Sequence, residues 1–157
     1  MTVLLISGSR DANYRMLDYV DFALKEAMKA KWSIMVGDNH LGVDTRVLAY
    51  CNAVGYKDIC VVSVASEGPR SIKAASGVAV VSKSTAEQYA ARDKFMADMA
   101  DRGLFIWNGS SPGTLAAHEY MKSLYKPVSL ANFAKPQMKL TKTQLKREAE
   151  EKQLKLF

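Results

Sequence analysis

The sequence predicts a single Rossmann-like α/β domain with a parallel sheet of about five to six strands and helices on both faces. Short apolar runs alternate with helical patterns along nearly the whole chain, as in parallel sheets covered by helices. Loops rich in glycine and polar residues follow several of these runs, at the positions where such sheets hold ligands. The length of 157 residues suits one domain, and a hydrophobic content of 48% can supply its core.

The individual elements follow from two kinds of pattern. Continuous apolar runs are typical of strands buried on both faces, and they cover Val3–Ser7, Ser33–Val36, Asp58–Ala65, Gly77–Val81, Gly103–Trp107 and Pro127–Ala131. Apolar residues at helical spacing and end signals predict helices over Tyr14–Lys31, Val43–Val54, Ser84–Asp101 and Gly113–Leu124. Ser84 and Glu87 have the spacing of a capping box.

The composition changes near residue 135, so we predict a domain over residues 1–134 and a charged helical tail over 135–157. The formal net charge is +6, and the segment from Gln137 to Phe157 holds six basic and three acidic residues. A basic tail can contact nucleic acid or another acidic partner, and a solvated helix is the alternative interpretation.

Composition also predicts where the protein works. Cys51 and Cys60 lack metal-ligand spacing and lie in a predicted helix and a predicted strand, so we interpret them as packing residues in a reducing compartment. The N-terminus does not resemble a signal peptide, and no apolar run is long enough to span a bilayer. We expect a cytoplasmic protein with no membrane partner, no bound metal and no cofactor.

Three loops at predicted strand ends carry the candidate binding residues. The first, SGSRD, offers Gly8 for close backbone approach, Ser9 as a hydroxyl donor and Arg10 as a phosphate-binding charge. In the second, GDNHLGVDTR, Gly37 frees the backbone, Asp38 and Asp44 add carboxylates, and His40 is an ordinary loop residue. Asp44 has the alternative role of capping the helix that follows.

The third loop, NGSSPGT, is the strongest candidate for a phosphate site. Its backbone amides from Gly109 to Thr114 could form an anion nest at the start of a helix. The candidate residues of this loop are Asn108, Gly109, Ser110, Ser111, Gly113 and Thr114. The loop has no Gly-Lys-Ser/Thr, and the chain has neither GxGxxG nor GxSxG, so ATPase, standard dinucleotide and serine-hydrolase motifs are absent.

The helix before this loop completes a recognisable arrangement. Arg92, Met96, Ala97 and Asp101 give the pattern R-x-x-x-M-A-x-x-x-D, followed by an apolar strand and a glycine-rich loop that ends in Gly-Thr. Over about residues 2–131 the chain resembles the Lonely Guy phosphoribohydrolases and the wider SLOG superfamily. That superfamily includes the DNA-processing protein DprA and YspA-like proteins. The resemblance implies a nucleoside monophosphate ligand, with its phosphate on the glycine-rich loop, and a homodimer.

In the enzymes of this family an arginine and a glutamate support cleavage of the bond between base and ribose. The arginine corresponds to Arg92, whereas the glutamate position is Ala117, so binding of a nucleotide or nucleotide-derived ligand is the leading hypothesis. Cleavage by an N-glycosidase or ribosyl-transfer reaction is the alternative, with Asp38, Asp44 or Glu119 as substitute carboxylates. A DprA-like nucleic-acid-binding module is the second alternative, favoured by the basic tail.

Overall fold

The computed structural model describes residues 1–64, 78–81 and 88–134, and for residues 78–81 and 88 it describes the backbone alone. The strands are β1 (Val3–Gly8), β2 (Ser33–Gly37), β3 (Ile59–Val64), β4 (Val78–Val81), β5 (Arg102–Trp107) and β6 (Val128–Asn132). The helices are α1 (Tyr14–Lys29), α2 (Val43–Val54), α3 (Gln88–Met99) and α4 (Pro112–Ser123). The predicted capping box of the third helix and the predicted charged tail lie outside the described residues.

All strand pairs in the sheet are parallel, in the order β4-β3-β2-β1-β5-β6. Five strands of five or six residues form most of the sheet, and the four-residue β4 extends it at one edge. The strand order reverses between β1 and β5, because β2 to β4 lie on one side of β1 and β5 and β6 on the other. The predicted Rossmann-like α/β fold is confirmed.

The core has two layers because successive strand residues point to opposite faces of the sheet. Leu4 and Ile6 of β1 pack with α1 and α2 on one face, in a cluster that contains Val20 and Val47. Leu5 points to the other face, in a cluster built from α3, α4 and neighbouring strands. This second cluster includes Met35, Met96, Phe105 and Met121. The continuous apolar runs in the sequence therefore reflect strands that are covered on both sides.

The predicted ends of two helices differ from the structure. Helix α1 ends at Lys29, two residues early, since Lys31 adopts a left-handed φ of 58° that turns the chain toward β2. Helix α3 ends at Met99, and the Asp101 carboxylate accepts a hydrogen bond of 2.7 Å from the amide of Val3. Asp101 thus joins the end of α3 to the start of β1.

Lys126, which precedes β6, closes the carboxyl end of α3. Its Nζ donates hydrogen bonds to the carbonyl oxygens of Ala97, Asp98 and Ala100, at 2.8, 2.6 and 2.8 Å. These carbonyls belong to the last turn, where helices lack internal donors. A lysine charge is also favourable at the negative end of the helix dipole. Helix α3 is therefore held at this end by a side chain from a distant part of the sequence.

The two cysteines are free thiols, as the sequence predicted. Cys51 is buried in the cluster beneath α1 and α2, and Cys60 packs against the opposite cluster. Burial raises the pKa of the Cys51 thiol to about 11, which keeps it protonated and unreactive. Both residues contribute to packing.

Candidate ligand-binding site

The candidate site is a cavity of about 490 Å³ where the loops after β1 and β5 meet. The strand order reverses between these two strands, and open α/β sheets bind ligands in the crevice at such a position. The β1 loop contributes Ser7 to Asp11, and the β5 loop contributes Asn108 and Ser110 to Thr114. Helix α3 adds Tyr89, Arg92 and Asp93 as a third wall. We call this cavity the strand-end pocket.

Ser9 connects the three segments around this pocket. Its amide donates to Ile106 O at 3.1 Å, and its carbonyl oxygen accepts from the amide of Val43 at 3.2 Å. Its hydroxyl accepts a 3.1 Å hydrogen bond from the amide of Asn108. Gly8, next to it, leaves the space for α2, because a Cβ there would overlap the Val43 side chain. These contacts fix the β1 loop against β5 and the start of α2.

The β5 loop is held in shape by the side chain of Asn108. Its Oδ1 accepts from the amides of Ser110 and Ser111 at 2.9 and 3.0 Å, and from the Ser110 hydroxyl at 3.1 Å. Gly109 has a φ of 93°, which favours glycine, and it does not line the cavity. Of the amides from Gly109 to Thr114 that were predicted to bind an anion, those of Ser110 and Ser111 are therefore already bonded to Asn108.

The beginning of α4 supplies the amides that remain. Its first internal hydrogen bond runs from the amide of Leu115 to Ser111 O, so the amides of Gly113 and Thr114 have no acceptor within the helix. The Ser111 side chain makes no capping hydrogen bond. Gly113 and Thr114 both line the strand-end pocket, and nothing lies within 4 Å of where a Gly113 Cβ would stand. A helix start of this kind favours an anion.

Arg10 lines the same cavity as this helix start and is in a different environment from Arg92. Arg10 is exposed, lines the pocket, and makes no hydrogen bond or ion pair with another residue in the part of the chain that the structure describes. Arg92 is only 5% exposed and is paired on two sides. Its Nη1 lies 2.8 Å from Asp38 Oδ1, and its Nη2 lies 3.2 Å from Asp93 Oδ1.

Gly37 makes the burial of Arg92 sterically feasible. A Cβ at Gly37 would lie 2.8 Å from Asp44 Oδ2 and 3.1 Å from Arg92 Cζ, so both side chains cross directly over this residue. Asp38 follows with 1% exposure beneath the guanidinium. Gly37, Asp38 and Asp44 were predicted to hold the ligand or to act on it. The structure places them behind Arg92 and away from the lining of the pocket.

The carboxylates around Arg92 have shifted proton affinities. Burial raises the pKa of Asp44 to about 6, and the neighbouring Arg92 and the amide of Asn39 oppose that shift. Burial also raises the pKa of Asp93. Burial opposes the charge of Arg92, but Asp93, Asp44 and Asp38 together raise the pKa of its guanidinium. The guanidinium of Arg92 thus interacts with three carboxylates in this cluster.

Glu119 is the remaining predicted catalytic residue, and it lies away from the pocket. It is 59% exposed at the side chain and contacts the Nδ1 of His118 at 3.0 Å. Ala117 faces a smaller crevice between α3 and α4. Glu119 follows Ala117 by two residues, a rotation of about 200° around the helix, so the two residues stand on different faces of α4.

Sequence reasoning missed Asp93 and Tyr89, which both line the strand-end pocket. Tyr89, Arg92 and Asp93 stand at positions i, i+3 and i+4 of α3, a spacing that places them on one helix face. The Tyr89 ring also lies 5.3 Å from the Arg92 guanidinium carbon. That spacing was available in the sequence, but the motif of Arg92, Met96, Ala97 and Asp101 does not include Tyr89 or Asp93.

The fold and the site define a class of protein: a Rossmann-like α/β domain with a polar pocket at the switch point of its sheet. Within the described residues, no helix is long and apolar enough to cross a membrane. No cluster of three or more metal-ligating side chains occurs there either.

Solved structures share this fold. The molybdenum cofactor carrier protein of Chlamydomonas reinhardtii is similar with 22% identity and a TM-score of 0.65, over 86% of this chain and 78% of that one. DNA processing protein A of Helicobacter pylori, described with a single-stranded DNA binding mode, has 14% identity and a TM-score of 0.65, over 97% and 73%. The molybdenum cofactor binding protein of Rippkaea orientalis has 18% identity and a TM-score of 0.63, over 97% and 86%.

No protein-family model matches the chain, and no curated protein matches it. The structural likeness shows that the chain shares the fold of these proteins, in agreement with the resemblance noted in the sequence. At these identities the likeness concerns the fold alone.

Proposed function

We propose that this protein binds a nucleotide or nucleotide-derived ligand in the strand-end pocket, with the ligand's phosphate at the start of α4. The observation that carries the proposal is that Gly113 and Thr114 line the cavity and that their amides have no acceptor within the helix. Arg10 supplies a charge on the same cavity wall, and a guanidinium suits phosphate geometry. Proteins of the same fold that bind a molybdenum cofactor or DNA support this choice of ligand class.

The experiment compares Gly113→Asp with Gly113→Asn by calorimetric titration of adenosine 5′-monophosphate. The two side chains are nearly equal in size, and only aspartate adds a negative charge where the phosphate would bind. An acidic residue in the first turn stabilises a helix, so loss of binding would not reflect unfolding. We expect Gly113→Asp to weaken binding at least about tenfold more than Gly113→Asn does, equivalent to about 1.4 kcal/mol. Equal affinities for the two variants would contradict the proposal.

A second candidate function is cleavage of the bond between base and ribose, and Asp93 favours it. Its carboxylate lies on the pocket wall beside Arg92, and its raised pKa is common among catalytic acids. Asp93 replaces Asp44 and Glu119 as the candidate for the missing glutamate. We expect the wild type to release free base from a nucleoside monophosphate and Asp93→Asn to lose that activity. Absence of base release across a panel of nucleotides would exclude this function.

A third candidate, binding of single-stranded DNA, is favoured by the fold shared with DNA processing protein A. The basic segment at residues 137–157 lies outside the described residues, so the test is a deletion of that segment. If the tail binds DNA, affinity should fall steeply with salt in the full chain and be lost in the deletion. Binding that survives deletion would show that the tail is not responsible. The predicted homodimer stays a prediction that analytical ultracentrifugation can test.

A further inference from the structure

A second cavity continues the strand-end pocket between the starts of α1 and α2. It has a volume of about 720 Å³, and we call it the α1–α2 crevice. Arg10 and Asp11 line both cavities, so the two spaces share a wall. The apolar part of the lining consists of Ala12, Leu17, Leu41 and Ala49. The crevice therefore offers a hydrophobic compartment beside a polar one.

Two polar side chains of the α1–α2 crevice, Arg46 and Thr45, are engaged within the protein, and Arg10, Asp11 and His40 also line it. Arg46 makes two hydrogen bonds to the Asp21 carboxylate, at 2.9 and 2.7 Å. The Thr45 hydroxyl donates to Asn39 O at 2.9 Å. Leu41 is 55% exposed, and covering such apolar surface with a ligand is energetically favourable. The apolar side chains therefore offer a ligand a hydrophobic surface beside the charge of Arg10.

The crevice on the other side of the pocket, between α3 and α4, is a weaker candidate for the same role. Its volume is about 240 Å³, one third of that of the α1–α2 crevice. Tyr120 at its edge already has partners, since its hydroxyl donates to Asp98 at 2.6 Å and Lys94 Nζ lies 5.8 Å from its ring centroid. The smaller volume leaves less room there for a planar group.

We propose that the α1–α2 crevice receives the planar, apolar part of the ligand, the base of a nucleotide, while the phosphate binds at the start of α4. Arg10 stands where the two cavities join, so the sugar would pass beside it. This inference rests on the proposed function, because it orients the same ligand. Ligand pockets commonly combine an apolar compartment with a few polar groups that fix orientation.

The test fills one crevice at a time and measures two probes. Ala49→Trp places a large ring in the α1–α2 crevice, and Ala116→Trp places one in the α3–α4 crevice; both alanines are exposed on helices. The probes are adenosine 5′-monophosphate and ribose 5-phosphate, which lacks the base. We expect Ala49→Trp to weaken binding of the nucleotide about tenfold or more and to leave ribose 5-phosphate within about twofold. Ala116→Trp should change neither affinity.

Leu41→Ser is a second variant that removes apolar surface without adding bulk. We expect it to weaken nucleotide binding selectively, in the same direction as Ala49→Trp. Selective loss in Ala116→Trp, or equal effects on both probes in all variants, would overturn the orientation while the proposed function stood. If ribose 5-phosphate and the nucleotide both fail to bind the wild type, the proposed function is wrong and the orientation with it.

Discussion

Arg92 and Arg10 line the same pocket but lie in opposite electrostatic environments. Arg92 is buried over Gly37 and paired with Asp38 and Asp93, whereas Arg10 is exposed and unpaired among the described residues. A buried cation needs its partners to remain in the protein interior, and an exposed cation is available to an incoming anion. Arg92 therefore organises the wall of the site, whereas Arg10 is available to bind an anionic ligand.

The largest expected effect comes from removing the buried partner of Arg92. Asp38→Ala leaves a guanidinium without its 2.8 Å ion pair in the protein interior. We expect a loss of about 3–5 kcal/mol in the free energy of unfolding, measured by urea denaturation. The matched control is Asp11→Ala, an exposed carboxylate on the same pocket, which should change stability by less than about 0.5 kcal/mol. Similar losses of unfolding free energy in both variants would contradict the claim that Arg92 depends on a buried partner.

The stability of the Arg92 cluster should depend on pH through Asp44. Burial raises the pKa of Asp44 from 3.8 to about 6, so the folded protein binds this proton more tightly than the unfolded chain does. The resulting stability is fully present below about pH 4 and is lost as the pH rises through about 6. Between these values the wild type should lose about 3 kcal/mol relative to Asp44→Asn, since one pKa unit is about 1.4 kcal/mol. Parallel stability profiles for the two proteins would refute this, and the exposed Asp18→Asn serves as the control.

Alanine substitutions at Gly37 and Gly113 test how tightly the backbone is packed on the two sides of the pocket. Gly37→Ala forces a methyl group against Asp44 and Arg92, and we expect a loss of about 1–3 kcal/mol in thermal or urea unfolding. Gly113→Ala adds the same methyl group where nothing lies within 4 Å. That variant should be neutral or slightly stabilising. Equal behaviour of the two variants would mean that the packing over Gly37 can adjust.

The smallest effect on stability, and a clear effect on binding, is expected at Arg10. Arg10→Ala should leave the free energy of unfolding within about 0.5 kcal/mol, because the side chain is exposed. It should weaken binding of adenosine 5′-monophosphate about tenfold, through loss of one charge-assisted contact to phosphate. Lys25→Ala, exposed on α1 and outside the lining of the pocket, is the control. Unchanged affinity in Arg10→Ala would assign Arg10 no part in the site.

Most of the fold could be predicted from local patterns. The apolar run at Leu4 to Ile6 indicated a strand buried on both faces, and its side chains do alternate between two core layers. Helix α2 has its predicted bounds, because Gly55 adopts the left-handed conformation that ends helices. The predicted helix α1 was two residues too long, because a lysine with a left-handed φ, such as Lys31, has no sequence signature.

The site could be predicted only in part, because burial depends on distant segments. Gly113 and Arg10 lie at the pocket as expected, since strand ends and helix starts determine their place. The positions of Gly37 and Asp38 depend on Arg92, which comes more than fifty residues later in the sequence, and no local pattern reveals that contact. The capture of two amides by Asn108 is a local event, and an asparagine before Gly-Ser-Ser is a known signal for such a turn.

The hydrogen bonds of Lys126 affect the stage of synthesis at which the pocket can form. Helix α3 carries Arg92 and Asp93, yet its final carbonyls are bonded by a residue that leaves the ribosome about 26 residues after Ala100. A nascent or truncated chain that stops before Lys126 has every pocket-lining residue, but it lacks the side chain that closes α3. The pocket should therefore mature late in synthesis, and C-terminal truncations that cross Lys126 should impair it although they remove none of its walls.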